Sequence, residues 1–332
     1  MYFKEAEHYK KLAEKKVHCI LCPHKCIIGN GETGKCDVRM NIDGNLKTLN
    51  YGKPHKVSYQ KIESLPLFHF MPGSETLLVG AIGNNLGGKW YENEYTKKDI
   101  SKIPTVKQTP SQIVRQANKT KANIISYGYN EPTIYYEYLS DIIDNSPKKN
   151  HIIITNGYIE EDPLLSLAPK INGALVDIKS MNKDFYEQFL EGRLEPVLKS
   201  TKLLFDHNKW VEIKITLLPR IHNDFYDIRK LVSWILQNLD SNVPLHFIAF
   251  KPNESTQNFP AMDPDILKKA RKISMEAGMN YVYTHGIDFP EGLTTYCPNC
   301  RKGIITRNNK NTEINVKEGK CGCGKEIAGV WQ

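Results

Sequence analysis

The chain has 332 residues, 40% of them hydrophobic, and a formal net charge of +8. This length allows one large domain or two ordinary ones with a buried core. No run of about 18 apolar residues occurs, and the charged start, Met1-Tyr-Phe-Lys-Glu-Ala-Glu, does not have the pattern of a secretion signal. We therefore expect a globular, cytoplasmic protein without a membrane span.

All eight cysteines lie in two quartets near the ends of the chain, and none occurs between Cys36 and Cys297. Closely spaced cysteines in a cytosolic chain are more often metal ligands than disulfides, because the cytosol keeps thiols reduced. Eight thiolates and two divalent ions would lower the formal charge by four. Since no long stripe of Lys and Arg with aromatic residues stands out, an RNA-associated role remains only an alternative.

The first elements in chain order are a predicted helix over residues 3–16 and then the first quartet, Cys19, Cys22, Cys26 and Cys36. Four thiolates in a glycine-interrupted knuckle are typical of structural zinc, although an iron–sulfur cluster uses the same ligands. Either centre would be closed, because four protein ligands leave no open position for a substrate. Residues 37–75, rich in Gly, Pro and polar residues, have the composition of a wrapping segment.

From residue 76 onward, short apolar runs alternate with helical stretches. The predicted strands are 76–81, 123–127, 151–155, 173–177, 211–217, 244–249 and 280–284. The predicted helices are 110–120, which Thr109 and Pro110 open, 133–145, 194–207, 224–238 and 263–277. Runs without period-two alternation indicate strands buried on both faces, and intervening helices make them parallel. The fold class is therefore α/β, either a doubly wound sheet or a (β/α) barrel.

In both folds the working surface lies beyond the carboxyl ends of the strands. Ten polar side chains fall there, of which the first seven form our candidate ligand pocket: Asn130, Glu131, Thr155, Asn156, Asp177, Lys179, His246, and then Asn223, Asp224 and His285. Asn, Asp and Thr are also frequent turn and cap residues, so a structural role is the alternative for each. His246 lies inside an apolar strand, so its imidazole must be largely buried and needs a partner.

The loop after the first of these strands, residues 83–90, has the spacing of a phosphate-binding G-x-x-x-x-G-K loop. Trp90 stands where that motif needs Ser or Thr to hold magnesium. A tight turn is therefore favoured over nucleotide hydrolysis.

The second quartet consists of Cys297-Pro-Asn-Cys300 and Cys321-Gly-Cys323-Gly, with twenty residues between the two knuckles. Two short knuckles joined by a probable hairpin are how a small ribbon brings four thiolates around zinc. A segment with so little apolar content also needs such a metal to fold. The sequence therefore predicts a C-terminal zinc ribbon.

Ordered motifs cover almost the whole chain. They include Cys19-Ile-Leu-Cys22-Pro-His-Lys-Cys26, Leu65-Pro-Leu-Phe-His-Phe-Met-Pro-Gly-Ser74, Tyr129-Asn-Glu-Pro-Thr133, Val176-Asp-Ile-Lys179, Pro244-Leu-His246 and Tyr296-Cys-Pro-Asn-Cys300. Together they resemble the radical SAM enzymes related to pyruvate formate-lyase activating enzyme, specifically the AmmeMemoRadiSam group encoded beside Memo-like and AMMECR1-like proteins. The resemblance implies a partial (β/α) barrel of about six strands, S-adenosylmethionine (SAM) near Asn130 and Glu131, and Memo-like and AMMECR1-like partners.

The chain departs from this family at the cluster motif. The family's C-x3-C-x2-C sequence belongs in the loop after the first barrel strand, where this chain has Asn84, Gly88 and Tyr91. None of these side chains can hold a [4Fe–4S] cluster, which needs thiolates. The N-terminal quartet does not replace the motif, because its fourth cysteine closes the site and its spacing is reversed.

These observations predict a metal module with a wrapping segment over residues 1–75, a barrel over 76–290 and a zinc ribbon over 291–332. The leading functional hypothesis is a radical-SAM-like protein without its catalytic cluster, which serves as a metal-binding scaffold or regulator and retains a pocket for SAM or a nucleotide-like ligand. One alternative is an enzyme, which uses either non-radical chemistry at the barrel mouth or an unconventional cluster site.

Overall fold

The computed structural model describes residues 3–87, 106–253, 256–308 and 311–331. Two of the three expected cluster positions, Gly88 and Tyr91, lie outside the described residues, as do Lys89 and Trp90 of the glycine-rich loop. None of the described helices is both long and apolar enough to cross a bilayer.

The N-terminal region is built from short strands: β1 (Lys4–Glu5), β2 (Tyr9–Lys11), β3 (Val17–Cys19), β4 (Ile27–Ile28), β5 (Arg39–Ile42) and β6 (Asn45–Thr48). They form two antiparallel sheets in the orders β1-β6-β5 and β2-β3-β4. The predicted helix over residues 3–16 is therefore wrong. Strand pairing, of β1 with β6 and of β2 with β3, outweighs the high helix propensity of Ala, Glu and Lys here.

The middle of the chain alternates strands and helices. In chain order it contains β7 (Lys56–Lys61), β8 (Glu75–Gly80), α1 (Pro110–Lys119), β9 (Ile124–Tyr127), α2 (Tyr136–Asp144), β10 (Asn150–Thr155), α3 (Glu161–Leu167), β11 (Gly173–Asp177), α4 (Lys183–Phe189), α5 (Leu194–Asp206), β12 (Trp210–Leu217), α6 (Tyr226–Asn238), β13 (Leu245–Ala249), α7 (Pro264–Glu276) and β14 (Val282–His285). All seven predicted strands and all five predicted helices are present, with ends shifted by a few residues. The short helices α3 and α4 were not predicted, and the segment over 37–75 contains three strands.

The C-terminal region has five short strands: β15 (Thr295–Tyr296), β16 (Gly303–Arg307), β17 (Thr312–Ile314), β18 (Val316–Lys317) and β19 (Lys320–Cys321). The first three form one antiparallel sheet, and the last two form a hairpin that ends at a cysteine.

The chain folds into two compact units. Unit 1 consists of Met1–Gln60, Glu75–Ala174 and Asp184–Lys209, and unit 2 of Lys61–Ser74, Leu175–Lys183 and Trp210–Gln332. In unit 1, β8 pairs parallel with β9, and β9 pairs parallel with β10. In unit 2, β12 pairs parallel with β13, and β13 pairs parallel with β14. Every residue of β9 and β11 is buried. The predicted α/β class with parallel, doubly buried strands is confirmed.

Candidate functional site

The C-terminal quartet has the geometry of a metal site. The sulfur atoms of Cys297, Cys300, Cys321 and Cys323 all lie within 4.8 Å of one another. The Cys297–Cys323 and Cys300–Cys321 pairs have Sγ–Sγ distances of 3.6 and 3.7 Å. Four sulfur atoms bound tetrahedrally at about 2.3 Å from zinc are about 3.8 Å apart. The arrangement therefore fits a single tetrahedral ion.

The charge state of Cys323 also suits a metal ligand. The backbone N–H of Lys325 and the side-chain amide of Asn299 donate to its sulfur and lower the pKa of this thiol to about 6. Cys323 is therefore mainly thiolate at neutral pH, which is the form that binds metals.

The N-terminal quartet belongs to unit 1 and is less tightly gathered. Among the described residues, the four cysteines of the C-terminal quartet lie close enough together to hold a metal ion, and those of the N-terminal quartet do not. Burial raises the pKa of Cys22, Cys26 and Cys36, the last to about 11, and the neighbouring thiolates contribute to the increase. Closely buried thiolates repel one another unless a cation neutralises them. Four cysteine side chains of this kind are the donor set of structural zinc and of iron–sulfur centres.

A buried ion pair connects this quartet to α2. Nη1 of Arg39 donates to Cys19 Sγ at 3.7 Å and to the Glu7 carbonyl at 2.9 Å, and Nη2 donates to the Glu137 carboxylate. The side chains of Arg39 and Glu137 are 1% and 0% exposed. Arg39 thus brings a positive charge to the thiolates, and Glu137 in turn compensates Arg39. The sequence reasoning did not single out either residue.

Glu131, a predicted pocket residue, joins the ends of two strands in unit 1. Its Oε1 accepts hydrogen bonds from Thr133 N at 2.9 Å, Thr133 Oγ1 at 2.5 Å and Thr155 Oγ1 at 2.7 Å. Its Oε2 accepts from Asn156 N at 2.8 Å. Burial raises the pKa of Glu131, against the effect of these donors. Glu131 and Thr155 therefore hold the loops after β9 and β10 together.

Asparagine side chains extend this network to the loop after β8. Asn156 Nδ2 donates to Asn85 Oδ1 at 2.9 Å and to Asn84 Oδ1 at 3.2 Å, and Leu86 N also donates to Asn84 Oδ1 at 3.1 Å. Asn130 Nδ2 donates to the Ala81 carbonyl at 3.0 Å. Asn84, at the first expected cluster position, is thus a hydrogen-bond acceptor within the loop. Hydrogen bonds thus link four predicted residues, Asn84, Glu131, Thr155 and Asn156, and Asn130 binds the loop after β8 as well.

The N-terminal cysteine module packs on the same loop. Nε2 of His24, within the first quartet, lies 2.5 Å from the Asn85 carbonyl. Gly83 has φ +107°, and a Cβ there would lie 2.8 Å from Val38 and 3.1 Å from the Cys36 carbonyl. Only glycine suits such a backbone and such close neighbours. The N-terminal cysteine module and the loop over 81–87 are therefore parts of one packed structure.

In unit 2, Asp177 and Lys179 form an ion pair together with Lys214. Asp177 Oδ2 lies 2.6 Å from Lys179 Nζ and 3.0 Å from Lys214 Nζ. Burial alone would raise the pKa of Asp177, but the two ammonium groups outweigh it and hold this pKa below its ordinary value. The carboxylate therefore stays ionised. Asp224, another predicted rim residue, accepts from Tyr226 N at the first residue of α6, which is a turn role.

His246 is fully buried in β13 and has the partner that its burial requires. Its Nε2 lies 2.8 Å from Glu212 Oε2, and its Nδ1 lies 2.9 Å from Nε2 of His285 at the end of β14. The sequence reasoning did not single out Glu212. The sequence did contain one sign of its role. Glu212 is a charged residue two positions before Lys214 in β12, so the two side chains lie on the same face of the strand.

We expect unit 2 to lose stability on mild acidification because of His69. Burial lowers the pKa of this imidazole to about 4, and its nitrogens lie 2.6 Å from the Ala328 carbonyl and 2.6 Å from the Tyr283 hydroxyl. Between about pH 6.5 and pH 4 the unfolded state binds the extra proton, so stability falls as the pH falls. His69 alone should contribute about 2 kcal/mol to the loss between pH 7 and pH 5, measured by urea unfolding as the difference between the parent protein and His69→Gln.

The His69→Gln variant should show a weaker dependence on pH over this range, because its side chain cannot titrate. The exposed His207 provides the matched control, and His207→Gln should keep the slope of the parent protein. Equal slopes for the parent and His69→Gln would contradict this account of His69.

Solved structures with the same fold are radical SAM proteins. A radical SAM methyltransferase from Sphaerobacter thermophilus is 13% identical, with a TM-score of 0.50 over 67% of this chain and 70% of that one. Streptococcus suis SuiB, solved with bound S-adenosylmethionine, is 14% identical, with a TM-score of 0.51 over 69% of this chain and 55% of that one. The protein therefore has the radical SAM fold, with a four-cysteine group at its C-terminus.

Sequence comparison gives the family. No protein-family model matches the chain. The chain is 35% identical over 331 residues to the uncharacterized protein MJ0808 of Methanocaldococcus jannaschii, with 98% of each protein covered. The chain belongs to the same family as MJ0808.

Proposed function

We propose that the protein is a radical-SAM-like member of its fold without the catalytic [4Fe–4S] cluster, and that it acts as a metal-binding scaffold or regulator. The observation that carries this proposal is the role of Asn84. Its side chain accepts hydrogen bonds from Leu86 N and Asn156 Nδ2 in the loop where the resemblance expects a thiolate. An amide oxygen does not replace a thiolate on an iron–sulfur cluster.

The distribution of cysteines supports the same proposal. All eight belong to the two terminal quartets, so Gly88 and Tyr91 also supply no thiolate. Without a cluster there is no iron to bind the methionine end of SAM and no electron to cleave it. We assign zinc to the C-terminal quartet, and zinc in preference to an iron–sulfur cluster to the N-terminal one.

The remaining polar groups of unit 1, among them Asn130, Thr155 and Asn156, would bind a small polar ligand such as SAM or a nucleotide. By resemblance, we propose Memo-like and AMMECR1-like proteins as the partners.

Metal and sulfide analysis after anaerobic purification tests the proposal. We expect about two zinc ions per chain, no acid-labile sulfide, and no 5′-deoxyadenosine from SAM under reducing conditions. One [4Fe–4S] cluster per chain together with 5′-deoxyadenosine would overturn the proposal.

A gain-of-cluster variant supplies the matched control. The triple substitution Asn84→Cys, Gly88→Cys and Tyr91→Cys restores the three thiolates. After iron and sulfide reconstitution, it should take up about four more iron atoms per chain than the parent protein. Equal iron in the two proteins would show that missing thiolates do not account for a missing cluster.

A further inference from the structure

The start of helix α6 combines a strained backbone with an exposed aromatic side chain. Phe225, the residue before the helix, has φ +62°, a left-handed conformation that bulky residues rarely adopt. Its side chain is 7% exposed, whereas the next residue, Tyr226, is 61% exposed. The chain thus buries one aromatic ring in unit 2 and leaves the following ring in solvent. Such strain persists where the surrounding structure fixes it, and it is frequent at binding sites.

Buried side chains fix this conformation from inside unit 2. Nδ1 of the fully buried His222 accepts from Leu218 N at 2.8 Å, and its Nε2 lies 3.3 Å from Asp227 Oδ2. The same Asp227 oxygen accepts from Ser180 Oγ at 2.6 Å. The loop after β12 and the first turn of α6 are therefore held together, so Tyr226 is presented on a rigid support.

Three cations lie around the two aromatic rings. Arg229 and Lys230 come three and four residues after Tyr226, so these side chains share one exposed face of α6. Lys230 Nζ lies 4.4 Å from the centre of the Tyr226 ring. Lys269 Nζ, from the adjacent helix α7, lies 4.8 Å from the centre of the Phe225 ring. We call Tyr226, Arg229, Lys230 and Lys269 the α6 patch; the sequence does not show it, because Lys269 belongs to another helix.

The positive charges of the α6 patch are not neutralised by carboxylates. Within the part of the chain that the structure describes, Arg229, Lys230 and Lys269 form no ion pair. Asp224, the exposed acidic residue next to them in the sequence, accepts from Tyr226 N at 3.1 Å and so caps the helix. The patch therefore presents an aromatic ring among three cations that are available to a ligand.

This combination fits a polyanion that also carries flat rings. In a single-stranded nucleic acid the bases can stack on an aromatic side chain while the phosphates bind nearby Lys and Arg. An acidic peptide would match the charges, but it has no base to stack on Tyr226. A duplex keeps its bases stacked on one another and presents mainly its backbone. The α6 patch therefore favours a single strand over both.

We propose that the α6 patch is a binding site for single-stranded nucleic acid, in which one base stacks on Tyr226. Arg229, Lys230 and Lys269 bind the phosphates on either side of that base. This activity goes beyond the proposed scaffold function and does not depend on the metal or cluster content of the protein.

Fluorescence anisotropy of the full chain with a labelled RNA strand of about 12 nucleotides, within the usual size of a single-strand site, measures the binding. Three cations on phosphates predict that a plot of log K against log salt concentration has a slope of about −2. A DNA strand of the same sequence shows whether the 2′-hydroxyl matters to the site. The RNA duplex and polyglutamate should each bind at least about 10-fold more weakly, because neither offers a base to Tyr226.

Two kinds of variant separate stacking from charge. Tyr226→Ala should weaken binding about 10-fold without changing the salt slope, whereas Tyr226→Phe keeps the ring and should bind like the parent protein. Lys230→Met should reduce the salt slope by about 0.7, because one phosphate contact is lost. Lys202→Met is the matched control. This lysine of α5 is partly exposed and pairs with Asp206 at 2.8 Å, so its replacement should change neither affinity nor slope.

Several results would overturn the proposal. These are no binding of either strand at about 50 mM salt, equal binding of the duplex or of polyglutamate, parent-like binding by Tyr226→Ala, and equal effects of Lys202→Met and Lys230→Met. Tyr226 and Lys230 are exposed, so their variants should keep the circular dichroism spectrum of the parent protein. These readouts are independent of iron, sulfide and SAM cleavage, so failure here is distinguishable from failure of the proposed function.

Discussion

Replacing Arg39 by methionine is expected to destabilise unit 1 by about 3–5 kcal/mol. The guanidinium is buried and is bound by Glu137, the Glu7 carbonyl and Cys19 Sγ. Removing it leaves the Glu137 carboxylate buried, and among the described residues its remaining hydrogen-bond donor is the Glu7 N–H, at 2.7 Å. An uncompensated buried charge costs much more than the lost contact itself. Urea unfolding monitored by far-ultraviolet circular dichroism measures the change.

The partly exposed ion pair between Lys4 and Asp141 is the matched control, since it lies in the same unit at 3.0 Å with side chains 37% and 31% exposed. Lys4→Met should cost less than about 1 kcal/mol. Adding Glu137→Gln to Arg39→Met should restore part of the lost stability, because the buried charge disappears. If Arg39→Met and Lys4→Met lower the free energy of unfolding by the same small amount, the buried Arg39–Glu137 pair does not stabilise unit 1 in the way described.

The parallel strands could be predicted because each is an apolar run. Every residue of β9 and β11 is buried, and a strand buried on both faces is recognisable in the sequence as a nearly continuous apolar run. The N-terminal strands could not be predicted in this way. β1 is only two residues long and pairs with β6, with Lys4 opposite Thr48. Its conformation is set by a contact 44 residues away, which local propensity does not contain.

The sequence located several residues of the candidate site, but it did not identify the side chains that they contact. The strand ends located Glu131, and the position of His246 inside an apolar strand required a buried partner for its imidazole. That partner is Glu212, and its identity depends on the register of β12 with β13. Lys214 is opposite His246 in this register, and Glu212 comes two residues before Lys214. Glu131 looked like a ligand-binding carboxylate, yet its contacts are with Thr133, Thr155 and Asn156. A polar residue at a strand end can be recognised in the sequence. Whether it binds a ligand or holds two loops together depends on the neighbouring loops, which the sequence does not show.

Removing the metal from the C-terminal quartet should unfold the ribbon and weaken the core of unit 2. Structural zinc in small domains contributes about 10 kcal/mol or more to folding. The ribbon has no core of its own, because its apolar side chains share one cluster with β14 and the segment over 61–74. That cluster consists of Phe68, Tyr281, Tyr283, Cys297, Ile304, Ile305, Cys321 and Ile327.

Cys300→Ser is the variant that isolates this effect. It should lower the zinc content by about one ion per chain and abolish amide protection in β16, with reduced protection in β14 next to it, as measured by hydrogen exchange and mass spectrometry. Cys22→Ser removes a ligand from the other quartet and should leave β16 protected. Protection of β16 in a Cys300→Ser protein that has lost its zinc would mean that packing on Phe68 and Tyr283 is sufficient to fold the ribbon. Since Arg307 also binds the Phe68 carbonyl at 2.7 Å, that outcome would attribute the fold of the ribbon to unit 2 rather than to the metal.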